Sequence, residues 1–365
     1  YDIIEKNTLH DLSGTAIEVT SGSSGSGYIR NNTIFKHNSS GIRLYDKDTF
    51  DVSDNMIDGK TSNGSGIHVE RMKSITVRKD TIQNTTGNGI YIEWSSGIAT
   101  SQWKVVSNVI KDNGSYGVRI NYASVNVDSN TISGHSSYGV RIQTNFENPA
   151  SDTLRYNTII NNGSYGIRVY DYANPFVEYN DLYGHNNYDY YNNATTGNEL
   201  DARYNFWGAT TTAEMNTGNN PKDISKIYDK YDNSDKGFVN YGQFLQSDAT
   251  VSPDVITGLT ATAGDQQVTL RWNRNTDTDL AKYRIYHSTT SPASTKLTDV
   301  STGTPIDTFY VHTTPVAGQT NYYRVTAVDQ ANNESPYSNE ASASTLLFSE
   351  VDLSLPAVVY GDMAW

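Results

Sequence analysis

The chain repeats two short patterns, Asn-x-Ile and Gly-Ile/Val, along its first 207 residues. Successive Asn-x-Ile steps are 22 to 28 residues apart, and the Gly-Ile/Val steps follow them by 9 or 11 residues. The near-identical segments Asn113–Ile120 and Asn162–Val169 show how closely the unit is copied. Two landmarks that recur together at this period predict a repeat architecture in which each unit packs on its neighbours.

Short segments inside each unit alternate apolar and polar residues, as in Gly41–Tyr45, which reads Gly-Ile-Arg-Leu-Tyr. This alternation places Ile or Val on one face of a strand. No segment of the repeats has the length and period of an amphipathic helix, and the units lack two-residue hairpin turns. We therefore expect an all-β protein in which residues 1–207 form a parallel β-helix of about eight to nine coils.

The Asn of the Asn-x-Ile step returns at one place in successive coils. Asn tolerates left-handed backbone geometry, and its amide can bond to the same amide one coil away, so a stacked column satisfies polar groups at a turn. We interpret this column as structural, with Asp80 taking the place of Asn in one coil. Its members are Asn32, Asn55, Asn108, Asn130, Asn157, Asn180 and Asn205.

Composition and charge exclude several classes of function. The sequence has no Cys, which rules out disulfides and a thiol nucleophile, and it is rich in Tyr (27) and Gly (28). Its net charge of −13 argues against nucleic-acid binding, which needs a basic surface. No apolar run approaches the roughly 18 residues of a membrane span.

The repeat landmarks, with Ala202–Gly208 as the last coil, resemble those of secreted right-handed parallel β-helix repeat proteins. Ile227–Tyr241 is similar to that family's C-terminal closing region, so residues 208–250 are expected to close the solenoid. The resemblance implies a secreted or cell-surface protein of a bacterium or archaeon.

From residue 251 the pattern changes to longer alternating strands at β-sandwich spacing. These strands are Val268–Trp272, Tyr283–Tyr286 and Tyr323–Ala327. Residues 251–345 resemble a bacterial fibronectin type III domain, with Trp272 as its core tryptophan and Asn321 where a corner tyrosine is usual. Such a domain implies a spacer.

The segment 346–365 is too short to fold alone and resembles the opening of an FG-GAP or VCBS repeat. That resemblance implies a fragment of a larger multidomain surface protein, with calcium bound only in a downstream module. We expect no cofactor and no metal site within this chain.

Polar residues of the Gly-Ile/Val strands are predicted to form two parallel columns on the outer surface, with neighbours about 4.8 Å apart. The first column is Arg43, His68, Tyr91, Arg119, Arg141 and Arg168. The second is Tyr45, Glu70, Glu93, Asn121, Gln143 and Tyr170.

Three of these arginines are aligned without an acid in the adjacent column, which predicts a site for an acidic polysaccharide or cell-surface glycan. Arg forks match carboxylates or sulfates, and Tyr rings offer surfaces for sugars. In the alternative interpretation, Arg and Tyr only solvate and pack the sheet, with Glu147 or Asp171 as countercharge. The candidate ligand-binding residues are Arg43, Arg119, Tyr122, Arg141, Arg168, Tyr170 and Tyr172, with Trp94 and Trp103 of the longest coil as a wall or sugar platform.

A catalytic alternative rests on four residues nearer the N-terminal end, His68, Glu70, Tyr91 and Glu93. His68 or Tyr91 with Arg43 would suit a polysaccharide lyase, whereas the pair Glu70 and Glu93 would suit a glycoside hydrolase. Ordinary solvation of a sheet surface is the competing interpretation.

Three functions stay open at this point. The first is a non-catalytic scaffold that binds acidic polysaccharide, the second is a lyase or hydrolase, and the third is a structural stalk or self-assembling subunit that contacts copies or neighbouring modules. Coils of 22 to 28 residues leave little room for the walls of an active-site groove, which favours a non-catalytic function.

Overall fold

The computed structural model divides the chain into two compact units, Tyr1–Val251 and Ser252–Trp365. Three features considered above, Trp94, Glu147 and the segment 346–365, lie outside the residues that the structure describes. The described residues are 2–20, 25–60, 64–93, 103–145, 152–195, 197–277, 280–301, 306 and 308–345.

The first unit is a parallel β-helix in which every coil gives one strand to each of three sheets. Sheet I consists of Asp2–Glu5, Gly27–Arg30, Thr49–Ser53, Ser74–Arg78, Trp103–Val106, Val125–Asp128, Thr153–Arg155 and Phe176–Glu178. Sheet II consists of Thr8–Leu12, Thr33–His37, Met56–Asp58, Thr81–Gln83, Val109–Lys111, Thr131–Ser133, Thr158–Ile160 and Asp181–Tyr183. Sheet III consists of Ile17–Val19, Ile42–Tyr45, Ile67–Glu70, Ile90–Glu93, Val118–Asn121, Tyr138–Thr144, Tyr165–Asp171, Tyr188–Ala194 and Ile227–Tyr228. Sheets I and II contain eight strands each, so the solenoid has about seven full turns, fewer than the eight to nine coils expected from the sequence.

Apolar side chains stack in register down the interior. In sheet III, Ile67 pairs with Ile90 and Ile90 with Val118, and all three side chains are fully buried. The strands Ile67–Glu70 and Ile90–Glu93 alternate buried and half-buried residues, as the sequence pattern predicted. Full burial of one such aliphatic side chain contributes about 2 kcal/mol, so the repeated columns are the main source of stability.

The glycine at the start of six sheet III strands, from Gly41 to Gly166, is required by close approach between coils. A Cβ atom on Gly117 would lie 2.6 Å from the carbonyl oxygen of Gly139 and 2.4 Å from Cγ2 of Ile132. The same kind of contact recurs at Gly89 and Gly166. Any side chain at this position would push adjacent coils apart, which explains why the Gly-Ile/Val landmark repeats.

The Asn column lies buried at the turn between sheets I and II. At a representative step, the backbone N–H and the Nδ2 of Asn130 both donate to Oδ1 of Asn157, each at 2.9 Å. Asn130 Nδ2 also donates to the carbonyl oxygen of Val105 at 2.8 Å. Equivalent bonds join Asn32 to Asn55 and Asn180 to Asn205.

The expectation that the column residues themselves adopt left-handed geometry is wrong. Positive φ occurs one residue earlier, at Ser129 (56°), Tyr156 (54°) and Tyr179 (56°). The left-handed residue makes the bend, and the following Asn then turns its amide into the interior. The left-handed backbone conformation and the side-chain hydrogen bonds therefore belong to two different, adjacent residues.

A second buried column, at the turn between sheets II and III, alternates Asn and His. The backbone N–H of Asn113 donates to Nδ1 of His135, that of His135 to Oδ1 of Asn162, and that of Asn162 to Nδ1 of His185, each at 3.1 Å. Burial lowers the pKa of His135 and His185 to about 4. Both imidazoles are therefore neutral acceptors near pH 7.

The C-terminal segment of the first unit covers the end of the solenoid core. It adds Ile227–Tyr228 to sheet III, pairs Leu200–Asp201 with Val239–Asn240, and contains the helix Gly208–Met215. Trp207, just before this helix, and Met215, its last residue, are fully buried. This helix has eight residues, and no helix of the described residues is long and apolar enough to cross a membrane.

The second unit is built from two antiparallel sheets. One contains Thr260–Ala263, Val268–Arg271 and Phe309–His312, and the other contains Thr295–Val300, Leu280–Ser288, Thr320–Asp329 and Ala341–Ser344. Its own core includes Trp272, Tyr283 and Tyr323. This core is separate from that of the first unit.

Candidate functional site

The outer face of sheet III brings three arginines into register. Arg119 pairs with Arg141, and Arg141 pairs with Arg168, on adjacent parallel strands. We call these three residues the arginine strip. These three residues are half-buried. Among the described residues of the first unit, the arginines that form ion pairs with carboxylates are Arg30, Arg43, Arg71, Arg78, Arg155 and Arg203. The strip is therefore a row of cations without carboxylate partners in the described structure.

Tyrosine rings hold the guanidinium groups of the strip in place. The guanidinium carbon of Arg168 lies 4.5 Å from the ring centroid of Tyr170 and 4.7 Å from that of Tyr191. Its Nη1 donates to the hydroxyl oxygen of Tyr138 at 2.6 Å. Arg141 lies 4.4 Å from the same Tyr170 ring, so one tyrosine supports two arginines. Cation–π contacts of this kind stabilise a guanidinium by about 0.5–1 kcal/mol at exposed sites.

Three tyrosine rings on the face of sheet III, among them Tyr170 of the predicted ligand-binding set, are covered by neighbouring side chains. Tyr91 stacks on His68 at 4.7 Å and lies under the guanidinium of Arg119 at 4.6 Å. Tyr138 stacks on Tyr116 at 4.8 Å, and Tyr170 is engaged by the arginines already described. Rings that stack along the solenoid axis cover one another's faces. Their role is to position cations.

Two further tyrosines of the predicted set lie at the turn after sheet III. Tyr172 is 43% exposed, so its ring is accessible at the rim of the face. Tyr122 is half-buried and has a left-handed backbone with φ of 58°. Tyr172 is thus the one of these two that offers a ligand substantial ring surface.

A hydrogen-bonded chain of side chains crosses the coils beside the strip. Arg141 donates to Oδ1 of Asn121 at 2.8 Å and to Oε1 of Gln143 at 2.5 Å. Gln143 Nε2 donates to Oδ2 of Asp171 at 2.7 Å. The Asp171 carboxylate, which was a candidate countercharge, therefore contacts an amide and not an arginine. Asp171 therefore forms no ion pair with the arginines of the strip in the described structure.

Arg43 differs from the other arginines of its column. It forms ion pairs with Glu18 at 3.0 Å and Glu70 at 3.8 Å. Two acidic partners satisfy its charge, so the structure separates it from the ligand-binding set to which the sequence assigned it. The N-terminal part of the column is an internally paired surface.

Trp103 also departs from its expected role. Its side chain is fully buried and belongs to the core of the solenoid, where its strand pairs with that of Val125. A buried ring cannot form a groove wall or sugar platform. The apolar alternation of Trp103–Val106 indicates this inward orientation once the strand is known.

The four candidate catalytic residues lie together on sheet III. Glu70 and Glu93 are register neighbours, and the Tyr91 hydroxyl donates to Oε2 of Glu93 at 2.6 Å. Burial raises the pKa of Glu70, and the negative charge of the adjacent Glu93 raises it further. Burial lowers the pKa of His68 to about 4 and raises that of Tyr91 to about 12. At neutral pH His68 is a weak base and Tyr91 keeps its proton.

Sequence reasoning missed the tyrosines Tyr138, Tyr165 and Tyr191, which surround Arg168. A signal was present, because Ser-Tyr-Gly places a Tyr three residues before Arg119, Arg141 and Arg168. The described residues contain no group of three or more His, Asp or Glu side chains placed to hold a metal ion.

Solved structures similar to parts of the chain include two bacterial proteins. A fibronectin type III-like protein from Clostridium thermocellum is 25% identical, covers 27% of this chain and 99% of its own, and has a TM-score of 0.23. A β-1,2-glucanase from Parabacteroides distasonis is 28% identical, with 27% of this chain and 13% of the glucanase covered and a TM-score of 0.23. No curated protein matches the chain.

A family model described as the right-handed β-helix region matches residues 2–152 and 97–206. These matches together span residues 2–206, which is 205 of the 365 residues, and they coincide with the stacked coils of the first unit. The chain therefore belongs to the right-handed β-helix family.

Proposed function

We propose that the first unit is a non-catalytic binding surface for an acidic polysaccharide, which lies along the arginine strip. The observation that carries this proposal is the alignment of Arg119, Arg141 and Arg168 without a described carboxylate partner in a protein of net charge −13. Adjacent like charges about 5 Å apart repel by about 0.8 kcal/mol in bulk water and by several-fold more near a protein surface. An anionic ligand would relieve this repulsion.

The geometry favours a chain of anionic groups over a single small anion. The three arginines lie in register on adjacent strands, whose spacing is about 4.8 Å, so their backbone positions form a line along the solenoid axis. Arg offers paired N–H donors that match carboxylate or sulfate oxygens. The β-helix fold is also common among polysaccharide-active proteins. Uronate or sulfated glycans are the ligand classes with the matching chemistry.

The test compares two triple variants of the full chain on a pectate or alginate matrix. R119Q/R141Q/R168Q removes the strip, and we expect it to abolish salt-sensitive retention. The matched control, R30Q/R78Q/R155Q, removes the same charge from sheet I, where each Arg is paired with a carboxylate. Retention of the strip variant equal to that of the wild type would refute the proposal.

For the second unit we propose a fibronectin type III fold that acts as a spacer in a secreted or cell-surface protein. Trp272 packs edge-on against Tyr283 in its core, with ring centroids 5.3 Å apart. Asn321 replaces the corner tyrosine, and its amide accepts from the N–H and donates to the carbonyl of Val316, each at 2.9 Å. Asn321 thus supports the same bend by another contact. An experimental structure of this unit would test the assignment.

A second candidate function for the first unit is glycoside hydrolysis by Glu70 and Glu93. It is supported by their adjacency and by the raised pKa of Glu70, which suits a general acid. A lyase has less support, because Tyr91 is held protonated and His68 is a weak base. Release of reducing ends from acidic glycans that E70Q abolishes would establish hydrolysis. If neither reducing ends nor unsaturated uronate are released, hydrolysis and lyase activity are both excluded for these glycans, and binding is the function that remains.

A further inference from the structure

The closing segment of the first unit contains a cavity of about 390 Å³ that is remote in sequence from the arginine strip. This volume lies within the range of about 300–1,000 Å³ that is typical of small-ligand sites. Two aromatic rings on its wall remain accessible, with Tyr231 43% and Phe238 39% exposed. The cavity is lined by Glu199, Asn220, Pro221, Tyr231, Phe238, Val239, Asn240, Tyr241 and Gly242.

One buried carboxylate fixes the two segments that carry these rings. Oδ1 of Asp229 accepts the backbone N–H of Tyr231 at 2.8 Å, and Oδ2 accepts that of Val239 at 2.9 Å. The rings of Tyr231 and Phe238 consequently meet at an angle of 58°, with centroids 5.1 Å apart. Asp229 is only 3% exposed, so it supports the walls without reaching a ligand. The walls are preorganised.

The floor and the polar edge of the cavity are equally well defined. The Tyr241 hydroxyl accepts the backbone N–H of Lys222 at 2.8 Å, and the Tyr241 side chain is buried. On the edge, Oε1 of Glu199 accepts from Nδ2 of Asn240 at 2.9 Å. No ion pair of Glu199 occurs within the described part of the chain, and no Lys or Arg lines the cavity. The Lys230 ammonium lies 5.3 Å from the Phe238 ring centroid, and the Lys222 ammonium donates to the backbone carbonyl oxygen of Glu214.

We propose that this cavity binds an uncharged pyranose. A pyranose with equatorial hydroxyls has apolar C–H faces that fit angled aromatic walls, and its hydroxyls can donate to a carboxylate such as Glu199. A uronate in the same place would bring its carboxylate against Glu199 without a lining cation to offset the repulsion. The cavity and the arginine strip thus select sugars of opposite character, uncharged in the first and anionic in the second.

The experiment uses a matched pair of ligands, methyl β-glucoside and methyl β-glucuronide, which differ by a hydroxymethyl or a carboxylate group. Saturation-transfer NMR on the full chain should show transfer to the glucoside that is lost in Y231A/F238A. Both rings are partly exposed, so the double variant should stay folded, which its melting temperature checks, and E199Q provides a second variant without loss of ring volume. We expect E199Q to weaken glucoside binding several-fold and to reduce the discrimination against glucuronide.

The experiment distinguishes failure of the cavity proposal from failure of the proposed function of the arginine strip. Transfer to a galacturonate oligomer should depend on the arginine strip and be unchanged in Y231A/F238A, which tests the proposed function separately. No transfer to the glucoside in the wild type, or transfer to it that survives in Y231A/F238A, would overturn the cavity proposal.

Discussion

The guanidinium of Arg168 donates a hydrogen bond to the hydroxyl of Tyr138 from the preceding coil, with Nη1 and the oxygen 2.6 Å apart. The Tyr138 ring also packs between two others, stacked on Tyr116 with centroids 4.8 Å apart and tilted by 50° against Tyr165 at 5.0 Å. A stacked ring that is itself immobilised by its neighbours therefore orients the cation. In the proposed binding function this relationship preorganises Arg168, because less rotamer entropy is lost when a ligand binds.

Removal of this hydroxyl should weaken polysaccharide binding without changing the charge. We expect Y138F to lower the affinity for oligogalacturonate at least about fivefold, since a hydrogen bond from a charged donor such as the Arg168 guanidinium contributes about 1.5–3 kcal/mol. Y116F is the matched control, because among the described residues the Tyr116 hydroxyl makes no hydrogen bond to the strip. Calorimetric titration measures both. Equal affinities for the two variants would show that Tyr138 does not position Arg168.

The glycine column provides a test of coil spacing. G117A places a Cβ atom within 2.6 Å of the Gly139 carbonyl oxygen, and we expect it to destabilise the first unit by about 3 kcal/mol in denaturant unfolding. Gly14 is the control, since a Cβ there would meet no atom within 4 Å. G14A should change the free energy of unfolding by less than about 1 kcal/mol. Similar losses in both variants would contradict the close-approach explanation.

Asp80 is the acidic member of the Asn column, and its replacement should be stabilising at high pH. Its Oδ1 accepts from the backbone N–H and Nδ2 of Asn55 at 2.7 and 2.9 Å, and burial raises its pKa to about 7. The folded protein therefore binds a proton that the unfolded chain releases near its ordinary pKa of 3.8. The stability that this proton supplies is complete below pH 3.8 and is lost as the pH rises through about 7.

We accordingly expect D80N to raise the free energy of unfolding by up to about 4 kcal/mol at pH 8, and by much less at pH 5. D112N makes the same change of charge at an exposed position of the first unit and is the control for the loss of one carboxylate. Denaturant unfolding at the two pH values measures the difference. A D80N gain that is the same at pH 5 and pH 8 would contradict the raised pKa.

Much of the solenoid could be predicted from the sequence because its two landmarks have direct physical causes. Asn at one turn must bond to the next coil, and Gly at the strand start must allow close approach, so both positions repeat visibly. The Asn and His column of Asn113, His135 and Asn162 was harder to see. Asn Oδ1 and His Nδ1 both accept the same backbone hydrogen bond there, so the residue type changes from coil to coil while the contact stays the same.

The candidate site was only partly predictable. Column positions for Arg119, Arg141 and Arg168 follow from strand alternation, and the structure places them in register. Contacts between columns do not follow from alternation, which is why the pairing of Arg43 with Glu18 was missed. The engagement of Tyr170 by two guanidiniums was missed for the same reason. Side-chain reach across coils decides these contacts, and a one-dimensional pattern does not encode it.

The most direct test of the binding function is the salt dependence of affinity for oligogalacturonate, measured by calorimetry on the full chain. Exposed ion pairs weaken as salt screens them, so the wild-type affinity should fall as the ionic strength rises. At low salt, R119Q/R141Q/R168Q should bind at least about tenfold more weakly than the wild type, since three pairs contribute about 0.5 kcal/mol each. The sheet I control R30Q/R78Q/R155Q should stay near the wild type. An affinity of the strip variant equal to that of this control would contradict the account.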